Sequence, residues 1–114
     1  MAAAMLALLA QAPAANAQSC RTDSPPHKMA LLELYTSEGC SSCPPADRWL
    51  SALVSKPRDG RIVALALHVD YWDYLGWRDR FASPVFTQRQ NTLARLGRAQ
   101  FAYTPEVFLG MREF

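Results

Sequence analysis

Cys40-Ser41-Ser42-Cys43 places two thiols three positions apart, just before Pro44-Pro45 and an amphipathic segment. At a strand-to-helix junction such a pair can close a small disulfide ring. It can also hold one thiol as a thiolate, where free helix amides and the helix dipole favour negative charge. Disulfide exchange needs both. On this reading Cys40, the outer thiol, attacks and Cys43, one turn further in, resolves. Two other readings stay open. One is an inert stabilising Cys40–Cys43 disulfide. The other is half of a metal site, although only Cys20, His27 and His68 are at hand and none forms a second recognisable pair. No metal and no cofactor is therefore expected. Pro44 also bears on the thiolate: it lacks the N–H that would bond back to the Cys40 carbonyl. The first helical turn then starts later, near Cys43, and the dipole acts more weakly on Cys40.

Further positions are candidates. Glu33 is an acid inside the apolar run Ala30-Leu31-Leu32-Glu33-Leu34-Tyr35. Buried near a resolving thiol, its carboxyl could accept that thiol's proton, because burial raises a carboxyl pKa toward neutral. It could equally point outward or pair with an arginine. His68, Asp70 and Asp73 follow a second apolar run, with Tyr71, Trp72, Tyr74 and Trp77 around them. Ligands gather at the carboxyl ends of parallel strands, so this segment reads as a substrate-facing wall; for Asp73, bonding to backbone groups is the favoured reading. Cys–His nucleophilic catalysis by Cys40 and His68 is conceivable, but no third member is identifiable. Thr104-Pro105 heads a third apolar run, and its X–Pro bond is either cis or an ordinary strand-leading trans bond.

The elements that must position these residues are readable from periodicity. Ala30 to Tyr35 is a buried strand. Ala46, Trp49, Leu50, Leu53 and Val54 share one helical face, with Asp47, Arg48 and Ser51 outside. Lys56-Pro57 and Asp59-Gly60 end that helix, and Lys56 to Arg61 reads as a solvated basic loop. Arg61 to Val69 is nearly continuously apolar, as a strand of a parallel sheet covered on both faces is. Strand, helix and strand then make a right-handed βαβ unit. Ser83-Pro84 starts a second helix, with Val85, Phe86, Arg89, Leu93 and Leu96 on one side and Gly97 at its end. Tyr103 to Leu109 is a third strand, and Gly110 marks a turn.

The chain has 114 residues, suiting one domain, and a formal charge of +2 with acids and bases interspersed. No basic stripe with interleaved aromatics suggests nucleic acid. Residues 1–17 are uncharged and end in the small-x-small pattern Ala15-Asn16-Ala17, which reads as a signal peptide cleaved after Ala17. It is too short to span a membrane. Residues 18–29 form a polar leader, and residues 30–114 the domain. Export implies an oxidising compartment, periplasmic or extracellular, in which a disulfide persists.

The run from Glu33 through Cys40-Ser41-Ser42-Cys43 to Asp47 resembles the DUF1223 family of exported bacterial proteins. So do His68 to Trp77, Phe81-Ala82-Ser83-Pro84 and Tyr103-Thr104-Pro105. That family is regarded as thioredoxin-like. The resemblance implies an α/β fold with a βαβ sheet and flanking helices. It implies an active-site pair at Cys40 and Cys43, and a cis-proline loop at Thr104-Pro105 that faces the cysteines and pairs with substrate backbone. Glu33 is its candidate buried acid, one residue farther from the first cysteine than the usual spacing. Against such a fold the chain is expected to be incomplete at its C-terminus. The closing strand and helix would be missing and Val107-Phe108-Leu109 would form an exposed apolar edge. The expected function is an exported thiol-disulfide oxidoreductase acting on protein thiols or disulfides. The alternative is a non-catalytic protein of the same fold that binds a metal ion or a peptide.

Overall fold

The structure is a computed structural model that describes residues 20–21, 23, 25–55 and 60–114. The expected signal peptide, part of the leader and residues 56–59 of the basic loop lie outside them. The elements are β1 (Ala30–Thr36), α1 (Pro44–Ser55), β2 (Ile62–His68), a short 3-10 turn (Asp73–Leu75), α2 (Pro84–Leu96), β3 (Glu106–Leu109) and β4 (Arg112–Glu113). They build one four-stranded sheet in the order β2-β1-β3-β4. β1 and β2 run parallel in register Ala30↔Ile62 to Thr36↔His68, so β1, α1 and β2 form the expected βαβ unit. β3 is antiparallel to β1, and β4 to β3. This is a mixed α/β fold consistent with the thioredoxin-like expectation.

Strand alternation sends the residues of β1 to two faces. Leu32 and Leu34 pack on Leu50 of α1, with Ala46, Leu53, Ile62 and Val107 around them. Tyr35 packs with Leu67, Val69 and Phe108 against Leu93 of α2. Leu34 and Tyr35 are fully enclosed and Phe108 nearly so; burying each such side chain stabilises by about 2 kcal/mol.

Several expectations need correction. The α1 stripe is narrower than its spacing implies: contact runs through Ala46, Leu50 and Leu53, while Trp49 and Val54 are exposed. Asp47 is not outside either, because its carboxylate accepts a hydrogen bond from the Thr36 hydroxyl at 2.7 Å. On α2 the buried residues are Gln90, Leu93 and Ala94, whereas Val85 and Leu96 are exposed. β2 is covered on the α2 side only toward its C-terminal end. Leu67 is buried there, but Val63 and Leu65 stand 42 % and 40 % exposed. Finally, β3 starts at Glu106 rather than Tyr103, and it is not a bare edge. Gly110 and Met111 take positive φ (56° and 67°), the backbone of a two-residue hairpin turn, and fold Arg112–Glu113 back beside Phe108 and Leu109.

Candidate functional site

Cys40 and Cys43 form a disulfide with Cα atoms 5.4 Å apart. They lie where β1 ends and α1 begins. The Cys40 amide donates to the Ser37 carbonyl, the Cys43 amide to the Cys40 carbonyl, and the Asp47 amide to the Cys43 carbonyl. Cys43 is thus the residue immediately before the helix, as the two prolines require. Cys43 is wholly enclosed, while Cys40 keeps 3 % of its surface and has the Ser42 hydroxyl 3.6 Å from its sulfur.

The helix start does little for a Cys40 thiolate. Pro44 and Pro45 have no N–H, which removes two of the amides that such a terminus normally offers to an anion. The carboxylate of Asp47 already occupies the first turn, where it satisfies the positive end of the dipole.

The loop after β2 is tied both to the cysteine loop and to Thr104. The Trp72 indole N–H donates to Thr104 Oγ1 at 2.7 Å. A Cβ on Gly39 would come within 3.1 Å of Trp72 Cβ, so the absence of a side chain there lets the two loops touch. The Trp77 indole donates to Glu38 at 2.8 Å. Trp72 therefore connects the cysteine loop to Thr104-Pro105, whose peptide bond is cis. Tyr71 goes elsewhere: it packs against the core under α2 and its hydroxyl donates to Gln90 at 3.2 Å. Burial pushes that phenol's pKa up. Asp73 accepts the Asp79 backbone N–H at 3.1 Å, so it does bond to the backbone as expected.

His68 ends β2 beside Thr36, on the sheet face that carries α1. Its Nδ1 lies 2.5 Å from Asp79 Oδ2, and its side chain is 21 % exposed. Asp79 is fully buried at the carboxylate and is engaged twice more. The Glu38 amide donates to Oδ2 and the Phe81 amide to Oδ1, each at 2.9 Å. Burial alone would raise the Asp79 pKa; the Glu38 amide, His68 and the Phe81 amide together overcome it and hold the pKa below the usual carboxylate value. Asp79 is the residue that sequence reasoning missed. Its partners His68 and Glu38 are 11 and 41 positions away.

Glu33 lies on the opposite, α2-facing side of β1. Arg89 grips its carboxylate with two bonds, Nε to Oε1 at 2.5 Å and Nη2 to Oε2 at 3.1 Å, and the Tyr35 hydroxyl donates to it at 3.3 Å. Of the readings open for Glu33, the geometry selects the arginine-paired one. A second buried acid on this face, Glu106, follows Pro105. One of its oxygens accepts from Gln90 at 2.6 Å; the other, fully buried, has no partner. Desolvation raises its pKa.

The fold and the site define a mixed α/β protein with a disulfide-forming Cys-x-x-Cys pair at the head of its first helix. The family described as "Protein of unknown function (DUF1223)" matches residues 31–113, and the chain belongs to that family. A crystal structure of a protein from Agrobacterium tumefaciens is similar, at 43 % sequence identity and a TM-score of 0.65; the match covers 73 % of this chain. The chain spans 36 % of that protein's length. No curated protein matches.

Proposed function

We propose that the protein is an exported, thioredoxin-like thiol-disulfide oxidoreductase acting on protein thiols or disulfides. The observation that carries this reading is the Cys40–Cys43 disulfide. It closes a short ring at the carboxyl ends of parallel β1 and β2, with Cys43 wholly enclosed and Cys40 retaining 3 % exposure. That asymmetry suits an exchange in which the outer sulfur meets the partner and the inner one resolves. Thr104-Pro105 and Trp72, linked to each other beside the cysteine loop, are the proposed contacts for the partner's backbone. Tyr71 has a supporting part, since its hydroxyl is taken by Gln90. An oxidising compartment outside the cytoplasm fits the uncharged N-terminal segment and a disulfide that persists.

The test is a thiol trap. Reduced full-length protein carrying Cys43→Ser is incubated with a peptide disulfide and resolved by mass spectrometry. A stable mixed disulfide through Cys40 is expected, and none with Cys40→Ser. Undiminished exchange by Cys40→Ser would overturn the reading.

A further inference from the structure

Gln90 is a fully enclosed polar residue on the buried side of α2, and both ends of its carboxamide are bonded. The amide nitrogen donates to the Tyr103 carbonyl and to Glu106 Oε2, each at 2.6 Å. The amide oxygen accepts from the Tyr71 hydroxyl at 3.2 Å. Tyr103 and Glu106 flank Thr104-Pro105, so one side chain holds the backbone on both sides of that pair. Trp72, next to Tyr71, reaches Thr104 Oγ1 from the loop after β2, and its Cβ lies over Gly39, the residue before Cys40. Gln90 is therefore where α2, the loop after β2 and the segment entering β3 are joined. Among the described residues the Thr104 amide and carbonyl enter no backbone hydrogen bond, which leaves them to an incoming strand.

These bonds call for a glutamine. A carboxamide carries two N–H bonds on one nitrogen and an acceptor at its other terminus. Two acceptors face the nitrogen and a hydroxyl faces the oxygen, which fixes the amide in one orientation. A glutamate of the same length would set a carboxylate against the Tyr103 carbonyl and the Glu106 carboxyl. A methionine would fill the volume but leave these polar groups unpaired, at a cost. Packing α2 on the sheet does not need such a network, since Leu93 and Ala94 do it with hydrocarbon. A buried amide with its bonds made specifies one arrangement of the groups it joins, and here those groups are the backbone of residues 103–106.

We propose that Gln90 is the positioning residue of the partner-binding segment: through Tyr103 and Glu106 it fixes the Thr104 backbone along which an extended protein segment pairs during exchange at Cys40. The inference rests on the thiol-disulfide reading and gives it a selectivity: Gln90 assists peptide partners and does nothing for small reagents. In the step concerned, the Cys40 thiolate attacks one sulfur of the partner disulfide. A Cys40–partner S–S bond forms, the partner's own S–S bond breaks, and its other sulfur departs with the electron pair as a thiolate. The proton lost by Cys40 passes through water to that thiolate.

The experiment uses full-length protein carrying Cys20→Ser and Cys43→Ser, so that Cys40 is the remaining thiol. Two rates are measured: alkylation by iodoacetamide, which needs the sulfur alone, and mixed-disulfide formation with an extended peptide disulfide. Gln90→Met should lower the peptide rate about tenfold, the worth of one well-placed hydrogen bond, and leave the iodoacetamide rate unchanged. Tyr71→Phe removes the hydroxyl that orients the amide and should lower the peptide rate about threefold. It keeps the test decisive if Gln90→Met does not fold, which far-UV circular dichroism checks. Leu93→Ala removes apolar packing from α2 and should leave the ratio of the two rates at its parent value. A parent-like ratio in the Gln90 and Tyr71 variants overturns the proposal. So does a Leu93→Ala ratio that falls as far as theirs, because general loosening of α2 then explains the effect. Hydrogen exchange separates this claim from the redox reading. If the parent is alkylated but forms no mixed disulfide, the redox reading fails. Faster exchange at residues 103–106 in Gln90→Met, with α1 unchanged, then sustains the positioning claim, and unchanged exchange overturns it as well.

Discussion

Asp79 and Glu106 are enclosed alike, at 2 % and 1 % exposure, yet their carboxyl groups are pushed in opposite directions. Asp79 receives two backbone amides and the Nδ1 of His68. Glu106 receives one side-chain amide, and its second oxygen is unpartnered. Burial penalises a charge by several kcal/mol wherever it sits, and the donors aimed at it decide whether the charge survives. Glu33 is the intermediate design: as buried as the other two, it depends on the half-exposed Arg89. Asp79 faces the cysteine loop, whereas Glu33 and Glu106 lie on the α2 side of the sheet. The fully bonded acid, with its pKa lowered, is thus at the candidate site, and the acid with its pKa raised is on the other face.

The comparison is broken most severely at Asp79. Asp79→Ala leaves the Glu38 and Phe81 amides without their acceptor and should cost about 3 kcal/mol or more in urea unfolding. The pH dependence has a definite sign. Because the folded-state pKa lies below the ordinary value of 3.8, the parent's advantage is complete above that pH. It fades as the pH falls through the folded-state pKa.

Arg89→Met comes next. It strands a buried Glu33 carboxylate and should cost about 2 kcal/mol at neutral pH, less than a fully buried pair because Arg89 is half exposed. Adding Glu33→Gln should recover most of that loss in a double-mutant cycle.

Glu106→Gln should act in the opposite direction and stabilise by about 1 kcal/mol at pH 7, read as a higher thermal midpoint. A folded-state pKa raised above the ordinary 4.5 makes the parent relatively stable below that pH and weaker as pH rises through the folded value. The gain should therefore vanish in acid. If it persists there, the gain does not come from the Glu106 charge, and the contrast with Asp79 is smaller than the hydrogen bonding implies.

The smallest effect is expected at Tyr103, whose exposed hydroxyl bonds Glu113. That bond, with some desolvation, pushes the phenol up to about 12. Tyr103→Phe should change stability by less than about 0.5 kcal/mol, while removing the highest-pH step attributable to an exposed phenol from the ultraviolet titration.

What the amino-acid sequence determined by itself is what depends on near neighbours. The Cys40–Cys43 spacing, the delayed start of α1 after two prolines, the Ser83 cap of α2, the parallel pairing implied by two apolar runs and the Gly110 turn all follow from groups a few positions apart. The same local rules misjudged the width of both helical stripes, because they do not say where each helix rests on the sheet. They placed Asp47 outside and missed Gln90, the most buried residue of α2. The tertiary structure alone decided the partners of the charges. Glu33 meets Arg89 across 56 positions, Asp79 meets Glu38 across 41, and Trp72 meets Thr104 across 32. A buried polar group has to find its hydrogen bonds among whatever the fold brings beside it. That choice is settled only when β1, the loop after β2 and α2 have packed together.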